Sequence, residues 1–160
     1  MSRGVGRNMG KPKFKPKPGQ IDYTSARWAP VINCIVTYRG KILLVQRSHR
    51  LHFYPGYWNG ISGFLDDRRT LEQKVRGELR EEVGIAAKHV RRIRLGEIFH
   101  QDAPEYRKTW IVHPVLVNVT TDRIRLDWEA EEYRWVRPAE ASRFDLLPGF
   151  DRVLRVLFDR

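Results

Sequence analysis

The chain has little cysteine, no long apolar run and almost no acid at its start. Its single cysteine, Cys34, excludes an internal disulfide framework. It lies in an apolar, strand-like run, where a lone thiol behaves as a small buried hydrophobe. No stretch of 18 apolar residues occurs, so no membrane-spanning helix is expected. The opening MSRGVGRNMGKPKFKPKPGQ lacks the apolar core of a secretory signal. Its alternating Lys and Pro and its four glycines argue against the amphipathic helix of a transit peptide, leaving the cytoplasm as the expected location. No internal repeat is visible.

What the chain has in excess is positive charge: Lys and Arg total 30 against 19 Asp and Glu, a formal net charge of +11. In residues 1–24, Arg3, Arg7, Lys11, Lys13, Lys15 and Lys17 face only Asp22, a net +5 that leaves +6 on the remainder. Residues 1–24 read as a basic, disordered arm in which KPKFKPKPG favours extended polyproline-like conformations. Such an arm can contact RNA phosphates, with Phe14 stacking on a base; a solubilising tail explains the same composition. Residues 25–160 suit one domain with an ordinary core. A basic surface favours polyanionic partners such as nucleotides or RNA.

Strand-like runs stand at Val31–Thr37, Lys41–Gln46, Arg91–Phe99, Thr109–Val119 and Tyr133–Val136. A helix is expected from about Gly149 to Asp159, where Phe150, Val153, Leu154, Leu157 and Phe158 recur at helical spacing. The most informative stretch is Gly63–Ile85, GFLDDRRTLEQKVRGELREEVGI. Thr70 with Gln73 forms a capping box that starts a helix near Leu71, and Gly84 supplies its stop. On a helical wheel Leu71, Val75, Leu79 and Val83 make an apolar stripe. Glu82 projects inside that stripe, Glu78 lies at its edge and Glu81 falls farther round the same flank, while Arg76 and Arg80 point away. Carboxylates this close repel one another unless a proton or cation sits among them. Oxygen ligands of this kind suit Mg²⁺, which usually shares them with substrate phosphates.

These residues resemble the Nudix box, G-x5-E-x7-R-E-U-x-E-E-x-G-U, with U a bulky aliphatic. Gly63, Glu78, Leu79, Glu81, Glu82, Gly84 and Ile85 fall in register. The flanks are similar as well: NCIVTYRGKILLVQ followed by Arg47, the Tyr57-Trp58-Asn59-Gly60 run before the box, and Glu132–Val136 followed by Pro138-Ala139-Glu140. The resemblance runs from about Trp28 to the C-terminus and implies an α/β fold, the Nudix α/β/α sandwich with a mixed sheet.

It further implies a pyrophosphohydrolase that uses Mg²⁺ or Mn²⁺ to cleave a nucleoside diphosphate linked to another group. Carried over, Glu78, Glu81 and Glu82 with the Gly63 carbonyl are the expected metal ligands. Glu129, six residues before Trp135, is the expected additional carboxylate or general base, with Glu131 and Glu132 as substitutes. Arg47, Arg50, Trp58 and Arg69 are the candidate substrate contacts. Two positions depart from the box. Arg69 stands where the family has glutamate, and Gly77 where it has the arginine that orients the catalytic carboxylates. Arg76 is turned by 100° from that position and cannot replace it. The departures, with the positive charge, favour an alternative: a Nudix-fold protein that has lost catalysis and binds RNA or another polyanion. A third member activity, isopentenyl diphosphate isomerisation, needs a catalytic cysteine in a context different from that of Cys34.

Overall fold

The computed structural model describes residues 16–159; the basic run 1–15, which holds most of the expected arm, lies outside them. Its frame is the long strand β1 (Trp28–Tyr38). A two-residue turn, Arg39 and Gly40, both at positive φ, leads from it into β2 (Lys41–Arg47). Two positive-φ residues match the twist of an antiparallel hairpin. The chain continues through β3 (Trp58–Asn59) and β4 (Ile61–Phe64) to α1 (Leu71–Val83). After it come β5 (Val90–Leu95), β6 (Phe99–Ala103), β7 (Lys108–Val119), β8 (Ala130–Val136) and α2 (Phe150–Phe158).

The sheet is mixed. β1 runs parallel to β7 from Trp28–Thr109 to Thr37–Asn118, and the other pairings are antiparallel. β4 and β2 share the opposite edge of β1, β8 and β3 flank β2, and β5 and β6 follow one another along β7. Side chains alternate across it as the pleat requires. Ile32, Cys34 and Val36 of β1 and Val115 and Val117 of β7 face α1, packing on Val75, Leu79 and Val83. Ile35, Ile42, Leu44, Trp110 and Val112 face the other way, towards Phe150, Val153 and Leu157 of α2. A sheet covered on both faces by helices is the α/β/α arrangement expected. Among the described residues no helix is long and apolar enough to cross a membrane.

The box helix starts and stops where its caps dictate. The Thr70 hydroxyl accepts the Gln73 N–H at 3.1 Å, and the Gln73 side-chain oxygen accepts the Thr70 N–H at 2.9 Å. Gly84, at φ 71°, closes the C-terminus by donating to the Arg80 and Leu79 carbonyls.

One expected strand is two. The run Arg91–Phe99 breaks at Gly96, whose N–H donates to the Pro114 carbonyl at 2.8 Å. Pro114 has no N–H to offer a ladder, so pairing along this edge of β7 stops there and resumes with β6. The short strands β3 and β4 carry no readable alternation. β3 pairs with β2, and β4 reaches β1 because Gly60 brings the chain against it: a Cβ there would lie 2.4 Å from the Cys34 carbonyl oxygen.

The last residues of the tail are tied to the domain. Gln20 Nε2 donates to Asp66 Oδ2 at 2.8 Å and the Ile21 N–H to the Asp66 carbonyl at 2.6 Å. The Tyr23 ring stacks on Phe64. Lys108, a buried residue, donates to the carbonyls of Tyr23 and Ala26 at 2.6 and 2.5 Å.

The contact at Gly60 is with backbone, which cannot step aside cheaply. Gly60→Ala is expected to destabilise the domain by about 2 kcal/mol, the range of overpacked sites, as a lowered midpoint in urea unfolding.

Candidate active site

Four segments meet at one end of the sheet, and two of them, α1 and the loop after β7, bring its carboxylates. β4 carries Gly63 past the edge of α1, and a Cβ on Gly63 would lie 2.9 Å from both Cδ and Oε1 of Glu78. Only glycine lets that carboxylate approach the loop so closely. The segment after β7 is fastened to the last carbonyls of α1, groups that a helix leaves unpaired. The Arg125 N–H donates to the Val83 carbonyl at 2.9 Å and the Asp127 N–H to the Glu82 carbonyl at 3.2 Å. Asp127 Oδ1 then accepts the Glu129 N–H at 2.9 Å, and the Glu129 carbonyl accepts the Ser48 N–H at 2.8 Å. Glu129 is thereby held between α1 and the end of β2. Arg47, the last residue of β2, donates through Nε and Nη2 to the Phe53 carbonyl at 3.0 and 2.9 Å.

The electrostatics follow from this crowding. Burial pushes the Glu82 carboxyl well above its ordinary value, and a hydrogen bond shared with Glu78 and the charges of Glu129, Glu78 and Asp127 push it further. Glu129 is raised to about 7, chiefly by burial and then by Asp127 and Glu78, against an opposing pull from Arg47. Asp127 is raised by burial as well. Glu82 keeps part of its surface exposed, yet its Oε2 is sealed from solvent and has no hydrogen-bond partner. Buried polar atoms are nearly always paired, so this one asks for a proton or a cation.

The donor set is all oxygen, net negative and includes an orphaned atom, which fits a hard divalent ion. Among the described residues no three acidic, His or Cys side chains already converge on one point as ligands. Glu78, Glu82 and Glu129 therefore have the chemistry of a metal site without its coordination geometry.

Beside the carboxylates opens a cavity of about 150 Å³. Gly63, Glu129 and Arg47 stand on its wall together with Phe53, Phe64 and Trp110. Those three rings meet at 5.1 to 6.4 Å between centroids, edge-to-face or tilted. Apolar walls with a few polar groups at one end are what a ligand pocket looks like.

Of the residues singled out from sequence, Glu78, Glu82, Glu129, Gly63 and Arg47 come together here. Glu81 is exposed on the solvent side of α1. Trp58 is not on the cavity wall: its ring packs against Phe144 at 4.9 Å. Arg50 is exposed and lies over Trp128 at 5.6 Å. Arg69 is also away from the cavity, held by Asp67 through Nε and Nη2 at 2.8 to 3.2 Å. The substitutes for Glu129 are engaged elsewhere, Glu131 with His49 at 2.6 Å and Glu132 with Arg134.

Sequence reasoning missed three things. Asp127 has the same acidic neighbourhood as Glu129 but no box position to flag it. Trp110 and Phe53 reach the cavity from segments far apart in the chain. Lys74 has buried its ammonium 3.1 Å from Asp66 Oδ1 and 3.2 Å from Glu78 Oε1. An i,i+4 Lys–Glu pair is a common surface feature, and only its burial makes this one unusual.

Fold and site together define an α/β protein with a carboxylate centre at the mouth of an aromatic cavity. Residues 27–157 match the NUDIX domain, and the chain belongs to the Nudix hydrolase family. The NAD-capped RNA hydrolase NudC of Chromobacterium violaceum is 40% identical over 76 residues, 48% of this chain and 27% of that protein, so the match spans about a quarter of the relative's length. The nucleoside triphosphatase NudI of Escherichia coli is 25% identical over 129 residues, 73% of this chain and 87% of that protein. Among solved structures, the MutT protein of Methanosarcina mazei superposes with a TM-score of 0.65 at 23% identity, covering 84% of this chain and 94% of that one. The Nudix domain of Shewanella oneidensis NrtR, in complex with ADP ribose, gives 0.65 at 17% identity, covering 81% of this chain and 86% of that one.

The raised carboxyls have a thermodynamic consequence. A group whose folded pKa lies above its unfolded value favours the fold while protonated, and that contribution fades as pH rises through the folded value. For Glu129 the window runs from about 4.5, its ordinary value, to about 7. Metal-free protein should therefore lose thermal stability as pH rises from about 4.5 to about 7. Mn²⁺ should raise the melting temperature more at the upper end, and Glu129→Gln should flatten the pH dependence. Differential scanning fluorimetry with and without EDTA measures all three.

Proposed function

We propose that this protein is a metal-dependent pyrophosphohydrolase acting on a nucleoside diphosphate linked to a further group, working in the cytoplasm with Mg²⁺ or Mn²⁺. The observation that carries the reading is the sealed, partnerless Oε2 of Glu82 within a group of mutually repelling carboxylates. Glu78 and Glu82 would hold the ion with the Gly63 carbonyl, and Glu81 stands at the solvent edge of the same helix. A divalent cation bound there neutralises charge on a diphosphate and acidifies water.

The remaining chemistry belongs to the chain. Glu129, titrating at about 7, can take a proton from an attacking water near neutral pH. Arg47 supplies positive charge on the cavity wall, suited to a phosphate oxygen. Phe53, Phe64 and Trp110 offer flat apolar surface to a base or nicotinamide ring. The names of the matched proteins, which act on NAD-capped RNA or nucleoside triphosphates, agree with a nucleotide substrate.

The departures at Arg69 and Gly77 favour a second reading, a catalytically silent domain that binds RNA or another polyanion through its basic surface and the tail 1–24. One assay separates the two. NAD, ADP-ribose, dinucleoside polyphosphates, nucleoside triphosphates and NAD-capped RNA would be offered with Mg²⁺ and with Mn²⁺. Turnover on at least one substrate is expected, falling by at least about 100-fold in Glu78→Gln/Glu82→Gln. Folded wild type with no turnover above the double variant on any substrate would leave the binding reading standing.

A further inference from the structure

The box arginine is absent at Gly77, yet Glu78 is not without a cation. Lys74, one turn earlier on α1, buries its ammonium between Glu78 Oε1 at 3.2 Å and Asp66 Oδ1 at 3.1 Å, with only 5% of its side chain exposed. Asp66 is equally enclosed, at 5%. Its second oxygen accepts Gln20 Nε2 at 2.8 Å, and its carbonyl accepts the Ile21 N–H at 2.6 Å. The Gln20 amide is itself anchored, its oxygen accepting the Lys17 N–H at 2.9 Å. A continuous path of polar contacts thus runs from the N-terminal segment through Asp66 and Lys74 to Glu78. On its other side Glu78 is stopped by the backbone of Gly63, where a Cβ would lie 2.9 Å away.

The place of the missing arginine is also filled. Arg69 folds back from the loop, and a Cβ on Gly77 would lie 2.6 Å from Arg69 Nη1. Glycine at 77 is what lets that guanidinium lie across the helix, where its hydrogen bonds to Asp67 hold it. With glycine at 77 and the Arg69 guanidinium tied to Asp67, the orientation of Glu78 is left to another cation.

We infer that Lys74, backed by Asp66 and the N-terminal segment through Gln20, is the positioning residue for Glu78, doing from one turn earlier what the box arginine does elsewhere in the family. The inference rests on the proposed metal site. Lys74 touches no substrate; it fixes one oxygen of Glu78 against the repulsion of Glu82 and Glu129. Its ammonium is a compact charge with three donors, suited to bridging two carboxylates, whereas a planar guanidinium demands a fixed fork.

Charge alone and positioning predict opposite signs. Deleting a cation beside a metal ligand should, by charge alone, tighten Mn²⁺ binding. Deleting a positioning group should weaken it, typically about 10- to 100-fold in affinity or activity for partners of this kind.

The test is Mn²⁺ titration calorimetry on wild type, Lys74→Met, Asp66→Asn and Lys74→Met/Arg69→Glu/Gly77→Arg, with kcat and KM on the best substrate. Circular dichroism establishes that each is folded. Lys74→Met is expected to bind Mn²⁺ about tenfold more weakly and to lose about tenfold or more in kcat. KM should change less than about threefold, because substrate contacts are untouched. The triple variant, which rebuilds the family's Glu–Arg pair, should regain most of both. If Lys74→Met does not fold, Asp66→Asn carries the same expectation for Mn²⁺ and kcat. Unchanged or tighter Mn²⁺ binding in the folded Lys74 variant, or in Asp66→Asn should Lys74→Met not fold, overturns the inference and leaves the proposed function intact. Wild type that binds no Mn²⁺ overturns both.

Discussion

Mutual repulsion among Glu78, Glu82, Glu129 and Asp127 is the constraint on which this end of the molecule depends. Two like charges 4 Å apart at an effective dielectric near 20 repel by about 4 kcal/mol. A whole domain is stable by only about 5–15 kcal/mol. Several such contacts cannot all be borne ionised, so the group must hold protons, hold a cation, or spread apart. Spreading is prevented. The loop carrying Asp127 and Glu129 is fastened to the last carbonyls of α1, and α1 itself is packed on the sheet through Val75, Leu79 and Val83. Burial and neighbours accordingly raise the Glu82 and Glu129 carboxyls, and one oxygen of Glu82 is left with nothing to bind.

Two buried lysines manage the rest of the neighbourhood, and both reach the N-terminal segment. Lys74 joins Glu78 to Asp66, which in turn holds Gln20 and Ile21. Lys108 donates to the Tyr23 and Ala26 carbonyls while its ammonium lies 5.5 Å from the Phe53 ring and 5.7 Å from the Trp110 ring. The same short stretch of chain therefore touches the carboxylate end of the site through one lysine and the aromatic wall of the cavity through the other. A buried ammonium needs several oxygen partners, and backbone carbonyls of an otherwise irregular segment supply them. The end of the tail, residues 20–26, thus belongs to the site's architecture.

Local chemistry made much of this legible. Thr70, Gln73 and Gly84 mark α1 to the residue, because caps are formed by neighbours in the chain. The apolar stripe told which side of α1 meets the sheet, and so which glutamates turn inward. What escaped reading depends on distant partners. The break at Gly96 is set by Pro114 across the sheet, β4 by the approach of Gly60 to Cys34, β3 by its pairing with β2, and the cavity rings by Phe53 of a loop meeting Trp110 of β7. Trp58 lay nearer the box in sequence than Trp110, but proximity along the chain is no guide to which ring faces a cavity. Lys74 reads as a solvated helix residue until the loop bearing Asp66 is folded over it.

The departures at Arg69 and Gly77 bear on whether the site is decaying. Decay removes a supporting group and leaves its space and its partner unserved. Here the space over Gly77 is taken by the Arg69 guanidinium, and the carboxylate that lacks the box arginine has Lys74 against it. Gly77 costs the helix about 1 kcal/mol relative to alanine, and the guanidinium it admits makes hydrogen bonds to Asp67 in exchange. Glu82 is the harder residue to explain without function. A sealed carboxylate oxygen with no partner costs more than a weak helix position does, and glutamine or leucine there would relieve the repulsion outright. A domain with no use for a cation would gain stability by losing Glu82, whereas a domain that binds one needs that oxygen unpaired until the ion arrives.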